Sequence, residues 1–127
     1  MSMNNLTIEG NLAADPKLTH ISRGMTAVTE AVVLVNRRTK DATGEWIDGE
    51  PTRHRIKAWN QLGENLAALR AGARVLVVGH IETDTWKDPD TNQRRSADIV
   101  VVEAIGASLR FNSVTIGAPI KTTEAGA

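Results

Sequence analysis

The sequence has no cysteine, no tyrosine, one phenylalanine, three histidines and no net charge, with 15 Lys and Arg balancing 15 Asp and Glu over 127 residues. Without cysteine there is no disulfide framework, no thiol nucleophile and no cysteine-based zinc site. His20, His54 and His80 are too widely spaced for a compact metal motif. Zero net charge removes an overall pull toward nucleic acid or membrane, so electrostatic function must come from where charges are placed. No apolar run approaches the roughly 20 residues that span a bilayer, and the opening MSMNNLTIEG has neither a basic n-region nor a signal-length apolar stretch. A glycine-rich phosphate loop, an HExxH pattern and a serine elbow are also missing. The expectation is a soluble cytoplasmic protein of one domain, without membrane attachment, enzymatic activity, cofactor or metal.

What is present is strand periodicity. Leu6, Ile8 and Gly10 alternate with Thr7, Glu9 and Asn11, predicting a first strand that ends near Leu12 before Asp15-Pro16. A short segment, 17 to 21, leads to a turn at Ser22-Arg23-Gly24. A Val- and Thr-rich strand then runs from about Met25 to Asn36, with both faces apolar in its middle. Residues 37 to 51 are polar, with two glycines and a proline, and read as a long, partly mobile hairpin connection. The third strand is TRHRIKAW. Leu62, Leu66 and Leu69 then recur at helical spacing, with Gly72 placed to end a helix begun at Asn60. Strands follow from Arg74 to Trp86 and from about Ser96 to Ile105, joined by the turn KDPDTN. Beyond residue 111 the chain becomes small and polar and reads as a short flexible tail, 112 to 127. Five strands with one short helix between the third and fourth is the layout of an all-β, five-stranded Greek-key barrel of the oligonucleotide-binding (OB) type over residues 1 to 111.

The third strand carries the chemistry. Arg53, Arg55, Lys57 and Trp59 share one face, and His54, Ile56 and Ala58 share the other. Trp46, Trp59 and Trp86 lie outside long apolar runs, and a core of Val, Ile, Leu and Ala has no need of them. Rings at half-exposed sites suit base stacking, worth roughly 1 to 3 kcal/mol per base and tolerant of any base, while nearby cations hold phosphates. Trp59 and Trp86 are the stacking candidates, and Trp46 is a further one in the long loop. Arg37, Arg38, Arg53, Arg55, Lys57, Arg94 and Arg95 are the phosphate candidates. Other roles remain open for the same residues. Trp59 and Trp86 could cover a barrel mouth or fill a subunit contact, Trp46 could fold back over the sheet, and a cationic strand face could be solvated surface. His54, on the apolar face, reads as a packed or interfacial histidine. The acidic pairs Asp88 with Asp90 and Glu82 with Asp84 read as solvated charge rather than a metal site. A second reading is an OB-type protein-interaction module of a replication or restart complex with weak DNA affinity, with Glu82 and Asp84 in its favour.

Several separated stretches carry a family resemblance: LTIEGNLAADPKL at 6 to 18, ATGEWIDGE at 42 to 50, HRIKAWNQLGENLAALRAGARVLVVGHIETDTW at 54 to 86 and DIVVVEAIGASLRF at 98 to 111. The chain resembles the bacterial single-stranded DNA-binding proteins, and is similar to a short paralogue of the type found in high-GC Gram-positive bacteria. The resemblance implies an OB barrel that assembles as a homotetramer and binds single-stranded DNA without base preference in replication, recombination and repair, at the nucleoid. It places the family's stacking aromatics on Trp59 and Trp86, and a subunit-contact histidine on His54. Arg38 and Arg53 stand where the family often has tryptophan, which implies phosphate contact in place of stacking. Glu82 and Asp84 stand where well-known members carry arginine, which implies weaker DNA binding or a shifted strand path unless they pair with Arg94 or Arg95 across the hairpin. The tail after residue 111 has one acid, Glu124, where full-length members end in an acidic, hydrophobic tip. The expectation is either a truncated chain or a short paralogue, with no recruitment of partner enzymes through such a tip.

Overall fold

A computed structural model describes residues 4 to 21 and 23 to 118. Eight strands and one helix are present among them: β1 (Asn5–Leu12), β2 (Lys17–Ile21), β3 (Thr26–Val35), β4 (Arg38–Lys40), β5 (Trp46–Asp48), β6 (Thr52–Trp59), α1 (Asn60–Leu66), β7 (Arg74–Lys87) and β8 (Arg94–Ala107). The main sheet runs β1-β7-β8-β6-β3-β2, and a further pairing of β1 with β3 closes the first five of these strands into a ring. The expected five-stranded barrel is therefore built from β1, β3, β6, β7 and β8. Its seams are short: β1 meets β3 only at Asn11↔Leu34 and Leu12↔Val33, and β6 meets β8 in parallel only at Ile56↔Val100 and Lys57↔Val101.

Inward residues of every barrel strand fill the interior with aliphatic side chains: Ile8 and Leu12, Val33, Ile56 and Ala58, Val75 and Val77, Val100 and Val102. No aromatic ring belongs to this core. One end is covered by α1, whose Leu66 is 1 % exposed. The helix is tied to the barrel by the buried Thr29 hydroxyl, which donates to the Gly63 carbonyl at 2.6 Å. Gly63 is required there, because a Cβ would stand 2.6 Å from the Ala58 carbonyl oxygen. At the closing seam a Cβ on Gly10 would overlap the Leu34 carbonyl oxygen.

Three details differ from the sequence expectations. The segment 17 to 21 is a strand, hydrogen-bonded to β3 from Lys17↔Glu30 to Ile21↔Thr26. All its residues are exposed, so no buried stripe marks it in the sequence. The connection 37 to 51 contains a two-stranded ribbon, β4 with β5. The helix stops at Leu66 rather than running toward Gly72, since Ala68 and Leu69 turn back to the carbonyls of Asn65 and Leu66 in tight three-residue steps. Gly72, at φ +87°, then lets its N–H reach the Leu12 carbonyl. Residues 112 to 118 of the expected tail form neither strand nor helix, and residues 119 to 127 lie outside the described residues.

Candidate nucleic-acid interface

The alternation expected in the third strand is present in β6. Ile56 and Ala58 are buried, Arg53 and Arg55 are exposed, and Lys57 and Trp59 are half-buried on the outer face. On β3 the outer residues opposite them are Leu34, Val32, Glu30 and Val28, paired in register with Arg53, Arg55, Lys57 and Trp59. The Lys57 ammonium lies 3.2 Å from Glu30 and 3.8 Å from Asp84 of β7. The contact with Asp84 brings the β7–β8 hairpin against the outer face of β6, with Trp86 two residues further along the same side of β7. Trp86 is 41 % exposed and Trp46 is 58 % exposed. The two rings of the barrel strands thus border one face, with Lys57 5.9 Å from the centre of the Trp59 ring.

Trp46 does not fold back over the main sheet. It pairs with Lys40 in the β4–β5 ribbon, and the Lys40 ammonium lies 5.2 Å from the ring centre. The ribbon's turn is held by Asp41, whose carboxylate accepts the Thr43 hydroxyl at 2.7 Å and the N–H groups of Thr43 and Glu45 at 2.9 and 3.0 Å. These bonds, the Thr43 hydroxyl first, hold the Asp41 carboxyl below the usual carboxylate range. Trp46 is thereby presented to solvent beside Lys40, while Arg38 at the other end of the ribbon stands opposite Asp48.

The cations divide into two classes. Among the described residues no ion pair engages Arg37, Arg38, Arg53, Arg55 or Arg94. Lys57, expected to offer a free cation, instead meets two carboxylates. Arg95 donates to Asp88 at 2.8 Å, and Asp88 also accepts the Asp90 N–H at 2.9 Å. The Asp90 backbone bond, then Arg95, holds the Asp88 carboxyl low, and the Asp88–Asp90 pair is accounted for as turn structure.

Glu82 and Asp84 are paired, but not with Arg94 or Arg95. The ladder sets Glu82 opposite Ile99 and Asp84 opposite Ala97, while Arg95 and Arg94 face Trp86 and Lys87. Asp84 takes Lys57 instead. Glu82 lies 2.6 Å from His80 Nε2, and Glu103 lies 2.9 Å from His80 Nδ1. With a carboxylate at each ring nitrogen, both nitrogens donate and the imidazolium is favoured, so the His80 pKa is raised, by Glu82 first and Glu103 second. A raised folded-state pKa contributes stability below the unfolded value near 6.5, and that stability is lost as pH rises through the folded value. Proton NMR of His80 is expected to give a midpoint above about 6.5. The melting temperature should fall as pH rises through that midpoint, and His80→Gln should remove this fall.

His54 is half-buried and lines a cavity of about 480 Å³ with Leu6, Ile81 and Ile99 among its walls. Lys17 and Glu30, not singled out by sequence reasoning, also belong to the outer face. Their signal was the alternation of Lys17, Thr19 and Ile21, which acquires meaning only once β2 is known to pair with β3.

Residues 3–107 match the single-strand binding protein family. The chain belongs to that family. It is 36 % identical over 112 residues to a single-stranded DNA-binding protein of Mycobacterium leprae, covering 87 % of this chain and 66 % of the relative. It is 35 % identical over 112 residues to the Mycobacterium tuberculosis protein of the same description, covering 87 % of this chain and 68 % of the relative. The chain therefore spans about two thirds of the length of these relatives. A crystal structure of a small single-stranded DNA-binding protein from Streptomyces coelicolor shares the fold, with a TM-score of 0.66 at 24 % identity over 86 % of this chain and 97 % of that one. Within the single-strand binding family the OB barrel read from strand order is the expected scaffold. No helix among the described residues is long and apolar enough to cross a membrane.

Proposed function

We propose that this chain binds and protects single-stranded DNA without catalysis, stacking bases on Trp59 and Trp86 and holding phosphates with its unpaired arginines. The observation that carries this reading is one barrel face that presents two half-exposed tryptophans together with two exposed arginines of β6, Arg53 and Arg55, that no ion pair engages among the described residues. Family membership supports it independently. Arg53 and Arg55 lie between the root of the β4–β5 ribbon and Trp59, so a strand following β6 meets phosphate sites first and stacking platforms next. Trp46, Arg37 and Arg38 extend the surface along the ribbon. Arg94 and Arg95 extend it along the β7–β8 hairpin, Arg95 once released from Asp88. Of the carboxylates that favour a protein-interaction module, Asp84 shares Lys57 with Glu30, and Glu82 shares His80 with Glu103, so each is paired but neither cluster is fully neutralised.

The role proposed is DNA protection in replication, recombination or repair, in the cytoplasm at the nucleoid, by a homotetramer. Residues 1 to 111 would be the binding and assembly domain. Exposed Leu76 and Val78 on β7 support assembly, as does half-buried His54, which lines a cavity with Leu6, Ile81 and Ile99. Titration with poly-deoxythymidine is expected to quench tryptophan emission, and native mass spectrometry to give four chains. Absence of both quenching and binding at low salt would overturn the DNA reading. A dimer mass would overturn the tetramer alone.

A further inference from the structure

Strand register builds a groove beside Trp59 in two rows. One row crosses three strands as Lys17, Glu30 and Lys57, each directly opposite the next; the other crosses them as Thr19, Val28 and Trp59. The rows are two residues apart, about 7 Å along the strands. Together they border a concavity of about 360 Å³, within the range of small-ligand sites. Its apolar row ends in a ring wide enough to stack a base, and its charged row sets an acceptor beside a donor.

The groups present select among bases. Glu30 meets the Lys57 ammonium through Oε1 at 3.2 Å, and its carboxylate keeps further acceptor positions, including both lone pairs of its second oxygen. Lys57 has three N–H donors, two directed at Glu30 and Asp84, which leaves one. A base stacked on Trp59 therefore presents its edge to a two-oxygen acceptor adjoining a cationic donor. Guanine alone has two adjacent N–H donors, N1–H and N2–H, next to a carbonyl acceptor, O6, on its Watson–Crick edge. That edge is free in a single strand. Cytosine and adenine place a ring-nitrogen acceptor where guanine has N1–H, and thymine has one donor between two carbonyls. Glu30 cannot serve phosphate, which it repels; the groove's other cation, Lys17, stands directly opposite it.

We infer that this groove, taken as part of the single-stranded DNA surface proposed above, is a guanine-reading subsite: Trp59 stacks the base, Glu30 accepts N1–H and N2–H, and Lys57 donates to O6. The protein then has a base preference laid over otherwise sequence-tolerant binding. The inference rests on the DNA-binding reading, and the test separates the two. Affinities are measured by fluorescence anisotropy for a thymidine oligomer and for versions carrying isolated guanines, adenines or hypoxanthines at the same positions, spaced to prevent quadruplexes. The guanine oligomer is expected to bind about fivefold to tenfold tighter than the thymidine oligomer. Hypoxanthine, which lacks the 2-amino group, should lose most of that gain, and adenine all of it. In Glu30→Gln, an exposed substitution that also releases Lys57, the ratio of guanine to thymidine affinity should fall to about one even as the affinity for both oligomers rises. Equal affinity of the parent protein for guanine and thymidine oligomers overturns the subsite and leaves DNA binding standing. So does a guanine preference that survives in Glu30→Gln. Failure to bind any oligomer overturns the DNA reading itself.

Discussion

Replacing Gly10 by alanine is expected to destabilise the domain by about 3 kcal/mol or more, lowering the thermal midpoint by on the order of 10 °C. The new Cβ would overlap the Leu34 carbonyl oxygen and stand 2.9 Å from both the Leu34 carbonyl carbon and Val33 Cγ1. Two of these atoms are backbone, which cannot swing aside as a long side chain does. They belong to β3 at the seam where β1 leaves β7, and that seam has only two residue pairs, Asn11↔Leu34 and Leu12↔Val33. Relief therefore requires the strands to part where the barrel closes, exposing Leu12 and Val33, which are 2 % and 0 % exposed. Gly106 is the control. It lies within β8, has no positive φ, and a Cβ there meets nothing within 4 Å. Gly106→Ala should stay within about 1 kcal/mol of the parent. Urea or thermal unfolding followed by circular dichroism separates the two, and equal stability of both variants would show that the seam yields.

The contrast between these glycines marks what the sequence could tell. The five barrel strands were legible because each buries one face, so Ile8, Val33, Ile56, Val77 and Val100 sit in alternating or wholly apolar runs. β2 was not legible as a strand, since Lys17 to Ile21 buries nothing and is ordered by backbone pairing to β3 alone. The face of β6 was readable from TRHRIKAW without a partner in view. What lies opposite it was not: Glu30 and Asp84 are far from Lys57 in sequence and meet it only through sheet register and the curl of the β7–β8 hairpin. The same register explains why Arg94 and Arg95 were the wrong partners for Glu82 and Asp84. Charge type and spacing suggested a cross-hairpin pair, and a strand ladder fixes partners to one residue, so Asp84 falls two positions from Arg95, opposite Ala97, and Glu82 four positions away, opposite Ile99.

That division of the cations predicts which substitutions change the salt dependence of DNA binding. For single strands the slope of log affinity against log salt is about −0.7 per phosphate neutralised. Arg53 and Arg55 are exposed and free of ion pairs, so replacing both by glutamine should make the slope shallower by about 1.4. Lys57 already holds Glu30 and Asp84, so Lys57→Gln should leave the slope within experimental error even though it stands in the same row of the same strand. Trp59→Ala and Trp86→Ala act through a different quantity. Each removes a stacking platform worth roughly 1 to 3 kcal/mol, so the double variant should lose on the order of a hundredfold to a thousandfold in affinity at every salt concentration, with the slope unchanged. Trp59 is half-buried but lies outside the aliphatic core, so its removal leaves the barrel folded and the affinity loss interpretable. Titrations of a thymidine oligomer at four salt concentrations distinguish the cases. A slope change in Lys57→Gln equal to that of Arg55→Gln would mean that DNA strips Lys57 from its carboxylates. A double tryptophan variant that binds like the parent would move the stacking surface away from β6 and β7.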